Sequence, residues 1–117
     1  MSESIFKLVV EKAHARLALR ANWTRFASAR THNDRICDPF DPAAVRFCCY
    51  GSLLRAAHDL VGCKQTAILI AQRTARRLTG CATELEAVAE LNALNDGPPN
   101  TARAGLLRLF DLALAEC

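Results

Sequence analysis

The sequence predicts an all-α fold: a single compact domain over residues 1–117, with about five helices in orthogonal or bundle-like packing. Three observations predict it. Apolar residues recur at three- and four-residue spacing in several separate segments. The segments are divided by Gly and Pro punctuation at Pro39, Pro42, Gly62, Gly80 and Gly97-Pro98-Pro99. No segment sustains an alternation of β-branched residues, so no strand is expected.

The first helix is expected from about Glu3 to Arg20, with Ile5, Leu8, Val9, Ala13 and Leu17 on one stripe and Ser2 or Ser4 as its cap. Residues 22–40 are the least regular part. Trp23, Phe26 and Ala27 are expected to plug one end of the core, and Thr31-His32-Asn33-Asp34-Arg35 reads as a polar turn. Asp41-Pro42 reads as the start of the second helix, because Asp accepts orphan N–H groups and Pro suits the first helical position. That helix would run to Val61 and bury Val45, Cys48, Cys49, Ser52, Leu53, Ala56, Leu60 and Val61, with Gly62 ending it in a left-handed conformation.

The third helix is expected from Lys64 to Leu78. Ile68, Ala71, Ala75 and Leu78 share its inner face, and Arg73, Arg76 and Arg77 lie opposite, flanked by Leu69 and Ile70. Thr83 and Glu86 form a capping box that opens a fourth helix running to Asn95. Thr101 or Asn100 would cap the last helix. Its wide arc of Leu106, Leu107, Leu109, Phe110, Ala113 and Leu114 predicts a central position.

The totals bound the function. Hydrophobic residues make up 51% and charged residues 23%, a globular balance. The net charge of +3 demands no polyanionic partner. No stretch reaches the roughly 20 apolar residues of a membrane span. Charges at Glu3, Lys7, Glu11, Lys12, Arg16 and Arg20 interrupt any signal-peptide core, so a cytoplasmic location is expected. In that compartment the six cysteines stay reduced and serve as small hydrophobes. No cofactor is expected.

Four short pieces occur in order: Trp23-Thr24; Ala44 to Leu53, reading AVRFCCYGSL; Asn95-Asp96 with Thr101; and Leu109-Phe110 with Ala113. Together they resemble an uncharacterised bacterial and phage family of small helical proteins. Its pattern is W-T, then A-V-x-x-C-x-x-G-A-L, then N-D-x-x-x-x-T, then L-F-x-x-A. The likeness spans about Leu17 to Ala115, and its specificity lies in the order of the pieces. The matching positions are Trp23, Cys48, Gly51, Leu53, Asn95, Asp96, Thr101, Phe110 and Ala113. The chain departs from the pattern at Ser52, where Ala is expected, and at Arg103-Ala104-Gly105, where a more helix-favouring run is expected. The resemblance implies a helical domain and brings no activity with it.

Each matching residue also has a structural explanation. Trp23 plugs the core, Cys48 packs inside, Gly51 admits a neighbouring helix, and Asn95, Asp96 and Thr101 serve helix ends. The leading expectation is therefore a non-enzymatic interaction or accessory protein of phage or mobile-element type, with a protein partner or a homodimer through Leu69 and Ile70. The competing expectation is a thiol enzyme or metal-binding protein using Cys48, the His32 loop or Asp96. Against a nucleophilic Cys48, His58 lies ten residues on, about 15 Å along a helix. His32, Asp34, Cys37 and Asp38 supply metal-ligand types without a known ligand spacing. A third expectation is phosphate contact and weak nucleic-acid binding through Arg73, Arg76 and Arg77.

Overall fold

The computed structural model describes all residues, Met1–Cys117. Five helices make up most of it: α1 (Glu3–Ala18), α2 (Cys49–Val61), α3 (Lys64–Thr79), α4 (Glu84–Asn95) and α5 (Pro99–Ala115). The expected helical domain is thus present. One part of the expectation is corrected: a small sheet of β1 (Ala29–Thr31), β2 (Ile36–Cys37) and β3 (Ala44–Phe47) occupies the region between α1 and α2. Its strand order is β2-β1-β3, and both pairings are antiparallel.

Why this region forms strands is local. Asp34 sits at φ 67° in the β1–β2 turn, a left-handed conformation that Asp tolerates. The Thr31 N–H donates to Arg35 O at 2.9 Å and closes the hairpin. Asp38 and Asp41 do not cap a helix. Their carboxylates accept the N–H of Phe40 at 2.7 Å and of Ala43 at 2.8 Å, which shapes two tight turns. The chain therefore arrives extended at β3, where Ala44 and Phe47 face inward and Val45 is 42% exposed. The second helix consequently starts at Cys49, eight residues beyond Asp41.

Apart from the late start of α2, the helices occupy the segments expected for them. Ser2 caps α1, accepting the Ile5 N–H, and α1 buries Phe6, Val9, Val10, Ala13 and Leu17 while Leu8 stays exposed. Gly62 and Gly80 end α2 and α3 at φ 71° and 73°, the left-handed conformation expected for the first of them. The Thr83 hydroxyl accepts the Glu86 N–H at 3.2 Å at the start of α4. α2 packs on α1, α3 and α4 and takes the central position. The apolar arc of α5 had predicted that role for α5. Instead α5 flanks the core through Ala102, Leu106 and Phe110, with Leu107, Leu109, Ala113 and Leu114 only half-buried.

Two further expectations are corrected. Ile70 is 8% exposed, because it shares the inner face of α3 with Ala67, Ala71 and Thr74, so it is not free for a dimer contact; its neighbour Leu69 is 53% exposed. Leu60, Val61 and Ile68, expected inside, lie on the surface near the α2–α3 junction. No helix is long and apolar enough to cross a membrane.

Candidate functional site

Where α4 ends, α2 begins, and the segment before β1 crosses both. Asn95 closes α4 and is 1% exposed. Its side-chain oxygen accepts two hydrogen bonds, from Trp23 Nε1 and from the Cys49 backbone N–H, both at 2.9 Å. Its Nδ2 donates to Thr24 O at 3.0 Å and to Asp96 Oδ1 at 3.1 Å. One amide thus satisfies an indole, the first N–H of α2 and a loop carbonyl. Buried polar groups are costly unless paired, so this side chain locks three segments together.

Cys48 is the N-cap of α2, and its thiol accepts the Gly51 N–H at 3.2 Å. Burial pushes the Cys48 thiol above its ordinary pKa. Hydrogen bonds from the backbone of Gly51 and Tyr50 act the other way, while the Asp96 charge raises it further. Burial holds the Cys49 thiol well above its ordinary value. The Cys48 N–H donates to Ser28 O at 3.1 Å. That carbonyl explains Gly51: a Cβ there would stand 2.0 Å from Ser28 O. The close neighbour is the loop backbone, not the helix expected from the sequence. Ser52, where the resemblance expects Ala, is buried and donates to Cys49 O at 2.6 Å, so its hydroxyl is satisfied.

Asp96 does not cap α5, whose N-cap is Pro98. Its carboxylate instead accepts the Phe26 N–H at 2.8 Å. Phe26 sits at φ 62° and is 68% exposed, so the expected core plug is a surface aromatic. A left-handed phenylalanine costs about 1–3 kcal/mol and persists only where its surroundings enforce it. Here they do. Arg25 donates to Asp96 O at 2.7 Å and to Gly97 O, and its guanidinium lies 4.6 Å from the Phe26 ring centroid. Arg25 Nε is buried without a partner. Arg30 braces the same turn, donating to Thr24 Oγ1 at 2.9 Å.

These contacts leave a cleft of about 360 Å³ lined by Phe26, Ala27, Ser28, Cys48, Tyr50, Asn92 and Asp96. Burial pushes the Tyr50 hydroxyl up to about 12, with Cys48 adding to it, so the phenol stays protonated. Trp23, Cys48, Gly51, Asn95 and Asp96 were expected to do separate packing and capping work. The structure brings all five to this one place, with Cys48 and Asp96 on the cleft wall and the other three behind it. Thr101 and Phe110 lie elsewhere: Thr101, like Asn100, sits inside the first turn of α5 rather than capping it and donates to Pro98 O at 3.3 Å, and Phe110 is fully buried on α5. Arg25, Ser28, Tyr50 and Asn92 carried no signal in the sequence. The Asn-Asp pair next to Gly97-Pro98 was the one readable sign of a structured corner.

No protein-family model, curated protein or solved structure matches the chain. The site is therefore read from its own chemistry.

No histidine lines the cleft, and Asp96 is its one carboxylate. His14 contacts Asp111 at 2.9 Å, His58 packs tilted against Phe40 with ring centroids 5.1 Å apart, and His32 lies in the exposed β1–β2 turn; none lines the cleft. No group of three His, Cys, Asp or Glu side chains is placed to hold a metal. The residues considered for one are dispersed. Asp34 faces Arg46 at 3.4 Å, Asp38 closes its own turn, and Cys37 lies on β2. Arg73, Arg76 and Arg77 do share an open concavity, but Glu84 lines it too. Arg77 turns to Glu3 at 2.7 Å and covers the Phe6 ring, while Arg76 Nε donates to Cys81 O. That leaves Arg73 as the one arginine of the three without such a contact.

Proposed function

We propose that the protein is a non-enzymatic interaction protein, of the helical bacterial and phage kind its motifs resemble, and that it takes its partner in the cleft beneath Phe26. The observation that carries this reading is the state of the polar groups around the cleft. Asn95 and one oxygen of Asp96 are occupied in holding the loop, and the Cys48 thiol serves as a helix cap. A nucleophilic thiol needs a depressed pKa. Cys48 has a raised pKa and a carboxylate beside it.

A binding role accounts for a feature that packing leaves over: the exposed ring of Phe26 beside the cleft. Aromatic anchors at a polar-floored concavity are the usual makings of a recognition site. Exposed Leu69 remains the surface through which a second copy would associate.

The test is an amide-NMR screen of the full chain against a set of small fragments of mixed charge. The reading expects saturable shifts gathered on Phe26, Ala27, Ser28, Tyr50 and Asp96. Shifts scattered over the surface, or confined to α3, contradict it.

A further inference from the structure

One wall of the cleft is held differently from its surroundings. Before it, Thr24 is pinned: its N–H donates to Phe47 O at 3.0 Å, and its carbonyl accepts Asn95 Nδ2 at 3.0 Å. After it, Ser28 O accepts the Cys48 N–H at 3.1 Å, and fully buried Ala29 opens β1. Between these points Arg25, Phe26 and Ala27 make no backbone–backbone hydrogen bond. Side chains alone hold them. Asp96 Oδ1 accepts the Phe26 N–H, and the Arg25 guanidinium donates to the carbonyls of Asp96 and Gly97. Arg30 Nη2 adds a long contact to Arg25 O at 3.4 Å. Apolar burial contributes little, since the Phe26 ring is mostly exposed and lies against the guanidinium of its own neighbour. Phe26 and Ala27 nevertheless line the cleft, opposite walls that helix α2 and the end of α4 supply through Tyr50, Asn92 and Asp96.

We propose that residues 25–27 form a flap over the cleft, hinged at Thr24 and Ser28 and latched to the α4–α5 corner by Arg25 and Asp96, which opens while the rest of the fold stays intact. Local opening occurs where buried apolar contacts are few and the hydrogen bonds holding a segment are exposed, and it costs less than global unfolding. Opening here breaks the bonds to Asp96 and Gly97 and keeps the backbone bonds of Thr24, Cys48, β1 and the helices. Two features favour release. Phe26 leaves its left-handed backbone at φ 62°, and Arg25 Nε, buried without a partner in the closed form, reaches water. The closed form still predominates, because charge-assisted bonds are of the stronger class. Release of the Phe26–Ala27 wall widens a cleft that encloses about 360 Å³ when shut. The flap is a property of the free protein and goes beyond the binding role, which it does not require.

The experiment is native-state hydrogen exchange on the full chain without ligand, read by NMR at several low denaturant concentrations. Rates are corrected for the intrinsic rate of each amide. The Phe26 amide is expected to be protected, yet to exchange about a hundredfold or more faster than the Thr24 and Cys48 amides on either side. Its rate should also be nearly independent of denaturant, because a three-residue opening exposes little surface. Arg25→Met keeps the side-chain stem and removes both latch bonds. It is expected to speed Phe26 exchange about tenfold or more while Thr24 and Cys48 keep their rates. The wild-type comparison uses no variant and so stands even where Arg25→Met misfolds. Phe26 exchanging together with Thr24 and Cys48, with the denaturant slope of global unfolding, overturns the flap. Exchange of Phe26 at the rate of an unfolded chain overturns the closed, latched form. An unchanged Phe26 rate in folded Arg25→Met overturns the latch. No ligand takes part, so failure of the fragment screen and failure of this test are separate results.

Discussion

The Asp96 carboxylate accepts the backbone N–H of Phe26 at 2.8 Å, across 70 positions of sequence. It joins the end of α4 to the mouth of the cleft. Beside it, Asn95 binds Trp23 and the first turn of α2, so an amide and an acid adjacent in sequence hold opposite walls of one concavity. The carboxylate that fixes the loop thereby also sets the charge of the site.

Replacing Asn95 with Ala is expected to destabilise the protein by about 3 kcal/mol, since it strands the Cys49 N–H and Trp23 Nε1 without acceptors. Chemical denaturation measures it. A loss within a few tenths of a kcal/mol of zero would mean that water replaces the amide.

Two glycine substitutions should act in opposite directions. Gly51→Ala places a methyl group against Ser28 O, so the loop must move, at a cost of roughly 1–3 kcal/mol. Gly105→Ala meets open space on an exposed face of α5 and should stabilise by about 0.5–1 kcal/mol through helix propensity. Paired melting curves give both values.

The thiols should react in a fixed order. The Thr66 hydroxyl and backbone hold exposed Cys63 below the ordinary thiol pKa, so it should label first. Cys48 and Cys49 should label only on the timescale of unfolding. Mass-spectrometric mapping after brief alkylation shows the order. Early labelling of Cys48 would reopen a thiol role for the cleft.

Asp59 should give the fold an acid-sensitive increment. Burial alone would raise its pKa, but Arg16, with Arg55 and Lys12, outweighs burial and holds it below the ordinary 3.8. A depressed folded pKa stabilises above the unfolded value and loses that effect as pH falls through the folded one. The Asp59→Asn variant should therefore be less stable than wild type at neutral pH, with the gap closing below pH 3.8. Denaturation curves across that range test the sign.

Helix existence was readable because α1 and α3 carry apolar stripes, α4 opens on the Thr83 cap, and Gly62 and Gly80 are left-handed. Strand β3 was not, because Ala44-Val45-Arg46-Phe47 continues backward the apolar pattern of α2, and only the turns at Asp38 and Asp41 reveal that the chain is extended there. The cleft was half legible. Trp23, Cys48, Gly51, Asn95 and Asp96 stood out as positions, but their meeting depends on tertiary contacts that no local spacing encodes. Arg25 and Tyr50 gave no sign, and Phe26 was read as core filler because an exposed loop aromatic has no local signature.

The most direct measurement is a crystal structure of the full chain soaked with a mixed fragment set. The account predicts density seated between Phe26 and Tyr50, and an unmodified Cys48. Fragments that leave this cleft empty and gather elsewhere, or a covalent adduct on Cys48, would contradict it.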